Sequence, residues 1–382
     1  MAETASTIGE KPLLSTSTTG TKPHNKVSRH VLVIHGGAGT MTKEGSTPAQ
    51  RAEYHSALKR ALRAGYTVLS EGGEAMDAAV AAVTVLEDCP LFNCAKGAVF
   101  NVAGRNELEA SIMLSKPPTT HPEIPASRRG LGLTLLTRMR NPSQAARALY
   151  LSPTEAPHTM LSGPVAENLA ADTGEQLVDP SYFFTESRWL EHRRGLGLPA
   201  EPYPPGQKPS DDGPSVLLDL TPTGTVGAVA LDKNGCIASV TSTGGRTNKL
   251  VGRIGDTPQM SAGFWAEEWP VEGWWTRTFR KLTRRSSRRA VGVSGTGDGD
   301  YFIRCDTAAT LAHRMKFLNE SVEKASKSVV EELKLNGGLG GVIALDEQGN
   351  FSLTMNSSGM YRGVIREDGV PQTAIFHDDI LE

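Results

Sequence analysis

Apolar and polar positions fall into blocks along this 382-residue chain, and the period of the blocks changes several times. His30-Val31-Leu32-Val33-Ile34 is a short apolar run, read as a strand leading into His35-Gly36-Gly37-Ala38-Gly39. Residues 49–70 have a helical composition that stops at Gly72-Gly73, a C-terminal cap signal. Residues 74–88 (EAMDAAVAAVTVLED) predict a second helix, apolar round most of its circumference and therefore buried. Val99-Phe100 and residues 109–113 read as strands, and residues 143–151 and 164–171 as helices. Over 195–223 prolines recur from Pro199 to Pro222, which marks a linker rather than packed structure.

After Thr225 the pattern turns β-rich. TVGAVALD (225–232) and CIASVTST (236–243) flank Lys233-Asn234-Gly235, and Asn-Gly is a strong hairpin signal. A turn centred on Lys233-Asn234 sets Thr225 opposite Ser242; one centred on Asn234-Gly235 sets it opposite Gly244. Either register brings Thr243 within one position of Thr225 across the hairpin. A strand over 290–294, a helix over 306–318, and a hairpin of 341–346 with 351–355 complete the pattern. Hairpins mixed with helices predict an α+β layered sandwich rather than a doubly wound sheet.

Charge removes some function classes. The 40 Lys+Arg against 42 Asp+Glu leave a net charge of −2, so no global field draws the chain to nucleic acid or an anionic membrane. Cys89, Cys94, Cys236 and Cys305 are too few and scattered for a disulfide framework, and predict reduced thiols in a cytoplasmic protein. No run is long and apolar enough to span a membrane. Residues 1–28 are Ser/Thr-rich without an apolar signal core and read as a disordered tail. His35-Gly36-Gly37-Ala38-Gly39 follows a strand but lacks the Gly-Lys-Ser/Thr ending of a phosphate loop, and reads as close backbone packing near a site.

Gly224-Thr225 carries the candidate chemistry. Were that bond cut, Thr225 would hold a hydroxyl nucleophile and a free α-amine on one residue. An α-amine titrates at about 7.7–8, so near neutral pH it serves as a base for its own hydroxyl. Downstream, Arg253 offers a planar fork for a carboxylate, and Asp256, three residues later, a counter-charge for an ammonium. Together they suit an amino-acid zwitterion.

Residues 224–232, Thr241-Ser242-Thr243-Gly244-Gly245, Asn248-Lys249 and Gly252-Arg253-Ile254-Gly255-Asp256-Thr257-Pro258 form a specific set in combination. With His35-Gly36-Gly37-Ala38-Gly39, Leu86-Glu87-Asp88-Cys89-Pro90-Leu91-Phe92-Asn93, Glu107-Leu108-Glu109-Ala110-Ser111-Ile112-Met113, Ser294-Gly295-Thr296-Gly297 and Gly359-Met360-Tyr361-Arg362, the chain resembles the isoaspartyl peptidase / plant-type L-asparaginase family of N-terminal-nucleophile hydrolases. The likeness runs from about residue 30 to 375. It implies a four-layer αββα sandwich, made as a precursor that cuts itself between Gly224 and Thr225. The fragments 29–224 and 225–382 would stay together as one composite domain, and pair into a homodimer of such units. By resemblance Thr225 is the nucleophile, Thr243 its supporting hydroxyl, and Thr296 and Gly297 the oxyanion donors. Arg253, Asp256 and Gly299 would hold the substrate's α-carboxylate and α-ammonium, with Asn93 among the substrate contacts. No cofactor is required for the chemistry; a structural sodium ion would sit on the backbone carbonyls of Leu86, Glu87, Cys89 and Phe92.

The implied reaction releases aspartate from L-asparagine and β-aspartyl (isoaspartyl) dipeptides. Alternatives are a glycosylasparaginase, a protein-cleaving threonine aspartase, and an unprocessed scaffold. Two departures stand out. Ala95 replaces a habitual glycine and puts an L-residue at a positive-φ position, and Met113-Leu114-Ser115 stands where Met-Asp-Gly is common. Residues 265–289, with four tryptophans followed by a run of basic residues, read as a solvated loop or lid.

Overall fold

The computed structural model describes residues 30–201, 224–271 and 288–382. The expected tail, the linker beyond residue 201 and the Trp/Arg stretch over 272–287 lie outside the described residues. Before Gly224 the elements are β1 (Val31–Gly39), α1 (Pro48–Ser70), α2 (Ala75–Glu87), β2 (Leu108–Leu114), β3 (Gly130–Leu136), α3 (Pro142–Tyr150), β4 (Met160–Ser162), α4 (Gly163–Asp172) and α5 (Glu186–Gly195). After it come β5 (Val226–Leu231), β6 (Ile237–Thr243), β7 (Phe264–Pro270), β8 (Arg288–Gly297), α6 (Gly299–Cys305), α7 (Thr307–Phe317) and α8 (Val322–Leu335). β9 (Gly340–Asp346), β10 (Phe351–Met355), β11 (Gly359–Ile365) and β12 (Gln372–Phe376) end the chain.

Among the described residues the strands form two sheets, ordered β12-β11-β1-β5-β6-β2-β3-β4 and β10-β9-β8-β7. Strands from either side of Gly224 therefore interleave in the larger sheet, with β1 inserted between β11 and β5. Both faces of its centre are buried, which explains runs that are apolar at every position rather than at every second one. Leu32 and Ile34 of β1 pack toward α1 and α2 with Leu58, Leu62 and Val83. Val31 and Val33 point the other way, into a cluster with Val229, Ile237, Ile343 and Leu345 that joins the two sheets. The smaller sheet sends Val291, Val293, Val342 and Ala344 against Leu311, Met315, Val329 and Leu333 of α7 and α8. The result is a mixed α/β architecture, as the pattern predicts.

α1 starts where its sequence says it should. Thr47 caps the backbone N–H of Gln50, the Gln50 side chain returns a bond to the Thr47 N–H, and Pro48 occupies the first turn. The central hairpin differs from both expected registers. Val226 pairs with Ser242 and Leu231 with Ile237, and the Asp232 N–H donates to the Cys236 carbonyl at 3.1 Å, so three residues, Lys233-Asn234-Gly235, are left as the loop, with Gly235 at φ 75°. Extending that register by one step sets Thr225 opposite Thr243 itself.

Other expectations need correction. The glycines after His35 belong to β1, which pairs with β11 through an irregularity between His35 and Ala38. Val99-Phe100 is not a strand, and α5 fills the stretch just before the expected linker. Trp265 and Trp269 are no loop or lid: both lie on β7, and Trp269 is buried beneath Arg289, whose guanidinium stands 5.7 Å from its ring centre. All four cysteines are free. No helix among the described residues is long and apolar enough to cross a membrane.

Candidate active site

Thr225 lies at the head of β5, 5% exposed, between β1 and β6. His35 of β1 reaches across: its Nδ1 donates to the Thr225 carbonyl oxygen at 2.8 Å. With Nδ1 as donor, a neutral ring accepts at Nε2, and the Ser294 hydroxyl lies there at 2.7 Å. Burial pushes the His35 pKa down to about 3, so the ring is neutral at physiological pH. Gly227 makes room for this pair, since a Cβ there would stand 2.2 Å from Ser294 Oγ and 2.5 Å from His35 Nε2.

Three further threonines, Thr257, Thr243 and Thr296, lie near Thr225 or the peptide before it. Thr225 Oγ1 lies 3.3 Å from Thr257 Oγ1. Thr243 Oγ1 accepts the Gly245 N–H at 3.0 Å, which fixes it at the end of β6. Thr296 Oγ1 accepts the Ala38 N–H at 3.1 Å, and a Cβ on Gly224 would be only 2.5 Å from that oxygen. Thr296 is thus packed against the peptide that precedes Thr225. Gly297, at φ 144°, ends β8 opposite Gly340, where a side chain would strike the Leu339 carbonyl.

A second group of residues joins the loop after β6 to the start of α6. A Cβ on Gly299 would fall 2.3 Å from Asp256 Oδ1 and 3.2 Å from Arg253 Nη2, so these three residues share one small space. Asp256 is buried, and its Oδ2 has no hydrogen-bond partner among the described residues. Desolvation, reinforced by Glu109, pushes its carboxyl up to about 7, with Arg253 opposing. An ammonium brought here would supply the missing partner. Glu109, buried on β2 across from Thr243, accepts the Gly255 N–H at 2.8 Å and so braces the loop that carries Arg253 and Asp256. Lys249 is buried nearby and donates to the Glu107 carbonyl at 2.7 Å.

Asn93 is fully buried, with Nδ2 on the Gly245 carbonyl at 2.7 Å and Oδ1 on the Val99 N–H at 3.0 Å. It ties the loop after α2 to the end of β6. In that loop Ala95 has φ 37°, the left-handed conformation its place in the sequence foretells. Glu87 turns its side chain away to Ser143, whose N–H and hydroxyl it accepts at 2.9 and 2.8 Å.

The structure thus brings together Thr225, Gly224 and Thr296, and separately Arg253, Asp256 and Gly299, with Thr243 on the adjoining strand. Sequence reasoning did not single out His35, Ser294, Thr257 or Glu109 as functional side chains. The only available hint was polar residues inside otherwise apolar strands, a signal too common to assign.

The asparaginase family profile matches residues 28–270 and 286–375. The chain is 35% identical over 353 residues to an isoaspartyl peptidase of Escherichia coli K12, covering 92% of this chain and 98% of the relative. It is 34% identical over 357 residues to a putative isoaspartyl peptidase/L-asparaginase of Dictyostelium discoideum, covering 88% and 93%. A probable isoaspartyl peptidase/L-asparaginase 2 of Arabidopsis thaliana is 30% identical over 357 residues, covering 90% and 98%.

Proposed function

The chain belongs to the asparaginase family, and from that premise we propose that it hydrolyses the side-chain amide of L-asparagine and the isopeptide bond of β-aspartyl dipeptides, releasing L-aspartate. One observation carries the reading: a threonine buried at the head of a central strand has the Thr257 hydroxyl 3.3 Å from its own, while Arg253, the buried Asp256 carboxyl and Gly299 share one small space. Maturation comes first. Thr225 Oγ attacks the Gly224 carbonyl carbon, the amide nitrogen leaves as the Thr225 α-amine, and water hydrolyses the resulting ester. Gly224 suits this step because it permits contact with Thr296 and Ala38 that any side chain would block.

In turnover the α-amine takes the proton of Thr225 Oγ, which attacks the substrate's side-chain carbonyl. The Thr296 hydroxyl and the Gly297 N–H donate to the developing oxyanion, and Thr243 steadies the nucleophile. Arg253 pairs with the substrate α-carboxylate and Asp256 with its α-ammonium, the neutral Gly299 leaving space between them. Ammonia or an amino acid departs with the proton from the α-amine, and water completes hydrolysis of the β-aspartyl ester. His35 acts by position: a neutral imidazole anchors the Thr225 carbonyl without adding charge.

The proposal extends to the whole molecule. The helix-on-sheet, sheet-on-sheet and sheet-on-helix contacts support a four-layer αββα sandwich, and the interleaving of strands supports one composite domain of two fragments. A cytoplasmic location agrees with four free thiols, and a homodimer of such units is carried over from the family resemblance. A sodium ion on the carbonyls of Leu86, Glu87, Cys89 and Phe92 would have an uncharged, all-oxygen donor set suited to a hard cation. Those of Cys89 and Phe92 each accept one loop N–H and keep a lone pair, whereas that of Leu86 takes the Cys89 N–H and the Cys94 thiol. Its contribution would be to hold the Asn93 loop.

The test is a denaturing gel with N-terminal sequencing, followed by assay. Purified protein should give two fragments, one beginning at Thr225, and should release ammonia from asparagine and aspartate from β-aspartyl-leucine. Thr225→Ala should stay whole and inactive. Full activity in protein whose Gly224–Thr225 bond is intact would overturn the reading.

A further inference from the structure

Two arginines share one carboxylate beside the zwitterion subsite. Arg253 Nη2 lies 3.2 Å from Asp300 Oδ1, and Arg246 Nη1 lies 3.9 Å from Asp300 Oδ2. The inner cation, Arg253, is 17% exposed; the outer, Arg246, is 59% exposed. So the pair runs from the enclosed end of the site toward solvent. Arg253 has a use in the proposed reaction. Arg246 has none, and its long contact with a half-exposed carboxylate contributes little to stability.

Its backbone is nonetheless firmly placed. Arg246 stands three residues after Thr243, and the intervening glycines are held by Asn93, whose carbonyl accepts the Gly244 N–H at 3.0 Å and whose Nδ2 donates to the Gly245 carbonyl. A fixed base with an exposed guanidinium is a suitable device for reading a group on the departing half of a substrate.

The two proposed substrates differ in that half. Asparagine loses ammonia, which carries no further handle. A β-aspartyl dipeptide loses an amino acid with its own carboxylate, six bonds from the aspartyl α-carboxylate and at most about 7 Å away. One carboxylate on Arg253 would place the other outward, on the side where Asp300 holds Arg246. We propose that Arg246 binds the α-carboxylate of the leaving residue, and so favours isoaspartyl dipeptides with a free C-terminus. Asp300 holds the guanidinium between turnovers and yields it to the bidentate carboxylate of the substrate. This inference rests on the reaction proposed above.

The experiment compares kcat/KM for β-aspartyl-leucine with that for β-aspartyl-leucinamide, which lacks the second carboxylate, in mature wild-type protein, Arg246→Gln and Arg246→Lys. The wild type should prefer the free acid. In R246Q the ratio should fall about tenfold, mainly through KM, and R246K should recover part of it because the charge is kept. An unchanged ratio in R246Q, or an equal loss on acid and amide, overturns the assignment of Arg246. Asparagine hydrolysis, measured on the same wild-type preparation, separates the two levels. If it proceeds while the acid is not preferred, only the leaving-group assignment fails; if asparagine and both peptides are inert, the proposed reaction fails.

Discussion

His35 and Thr225 are 190 residues apart in sequence, yet the imidazole Nδ1 donates to the Thr225 carbonyl oxygen at 2.8 Å in a fully buried contact. The peptide just after Thr225 is therefore oriented from a neighbouring strand. His35→Ala would leave the Thr225 carbonyl and the Ser294 hydroxyl buried without a partner, at about 1–3 kcal/mol each. The expected outcome is a lowered Tm together with slower appearance of the fragment beginning at Thr225, read by calorimetry and a timed gel.

Gly224→Ala should block maturation more than it harms folding. Its Cβ would come within 2.5 Å of Thr296 Oγ1 and 2.6 Å of the Ala38 backbone nitrogen, and the backbone contact has no flexible end to swing away. Relief would shift the Gly224 peptide, the group that the proposed cleavage attacks. A time course of cleavage should show mostly intact chain, with a circular dichroism spectrum close to that of Thr225→Ala.

Thr296→Val keeps the shape of the side chain and removes its hydroxyl. If that hydroxyl serves the oxyanion, kcat for asparagine should fall about 10²–10³-fold, the usual effect of losing one such donor, with a much smaller change in KM. Thr296→Ser should retain most of the rate. Because the same oxygen accepts the Ala38 N–H, the valine variant needs its Tm measured alongside to separate rate from stability.

Asp256 should give kcat/KM an acidic limb near pH 7. Desolvation raises its carboxyl to about 7, Glu109 and Asp300 add to the rise, and Arg253 opposes it. Below that pH the group is protonated and cannot counter an α-ammonium, so kcat/KM falls as pH drops; above it the anion is present and binding is complete. Bound substrate favours the anion, so the limb in kcat should lie at lower pH. Asp256→Asn should raise KM and abolish this limb. A second limb, from the α-amine that the proposed cleavage would free on Thr225, should survive in Asp256→Asn.

Legibility in the sequence followed how locally each feature is determined. α1 and α2 were plain, because caps and apolar periodicity act within a few residues. Arg253 and Asp256 could be paired by their spacing, and the positive φ of Ala95 by its replacement of a glycine. The Thr225–Thr243 alignment was missed by one position, since a three-residue loop with Gly235 in a left-handed conformation satisfies the same turn signal as a two-residue one. β11 was hidden for another reason. Arg362 looks solvent-facing, but it is buried and donates to the carbonyls of Met360, Ile375, Phe376 and Asp379. His35 and Glu109 owe their roles to partners far along the chain, and no local pattern encodes such partners.

In the larger sheet β1 is bordered on one side by β11 and on the other by β5, both from beyond Gly224, while β6 is bordered by β2 from before it. A molecule severed at that point would thus be two polypeptides knitted through three shared borders. Reassembly after denaturation would become second order in protein, where the unsevered chain needs only itself. Recovery from urea should then rise with protein concentration for a severed form and stay flat for Thr225→Ala, so cleavage would leave a molecule that refolds only by finding its other half.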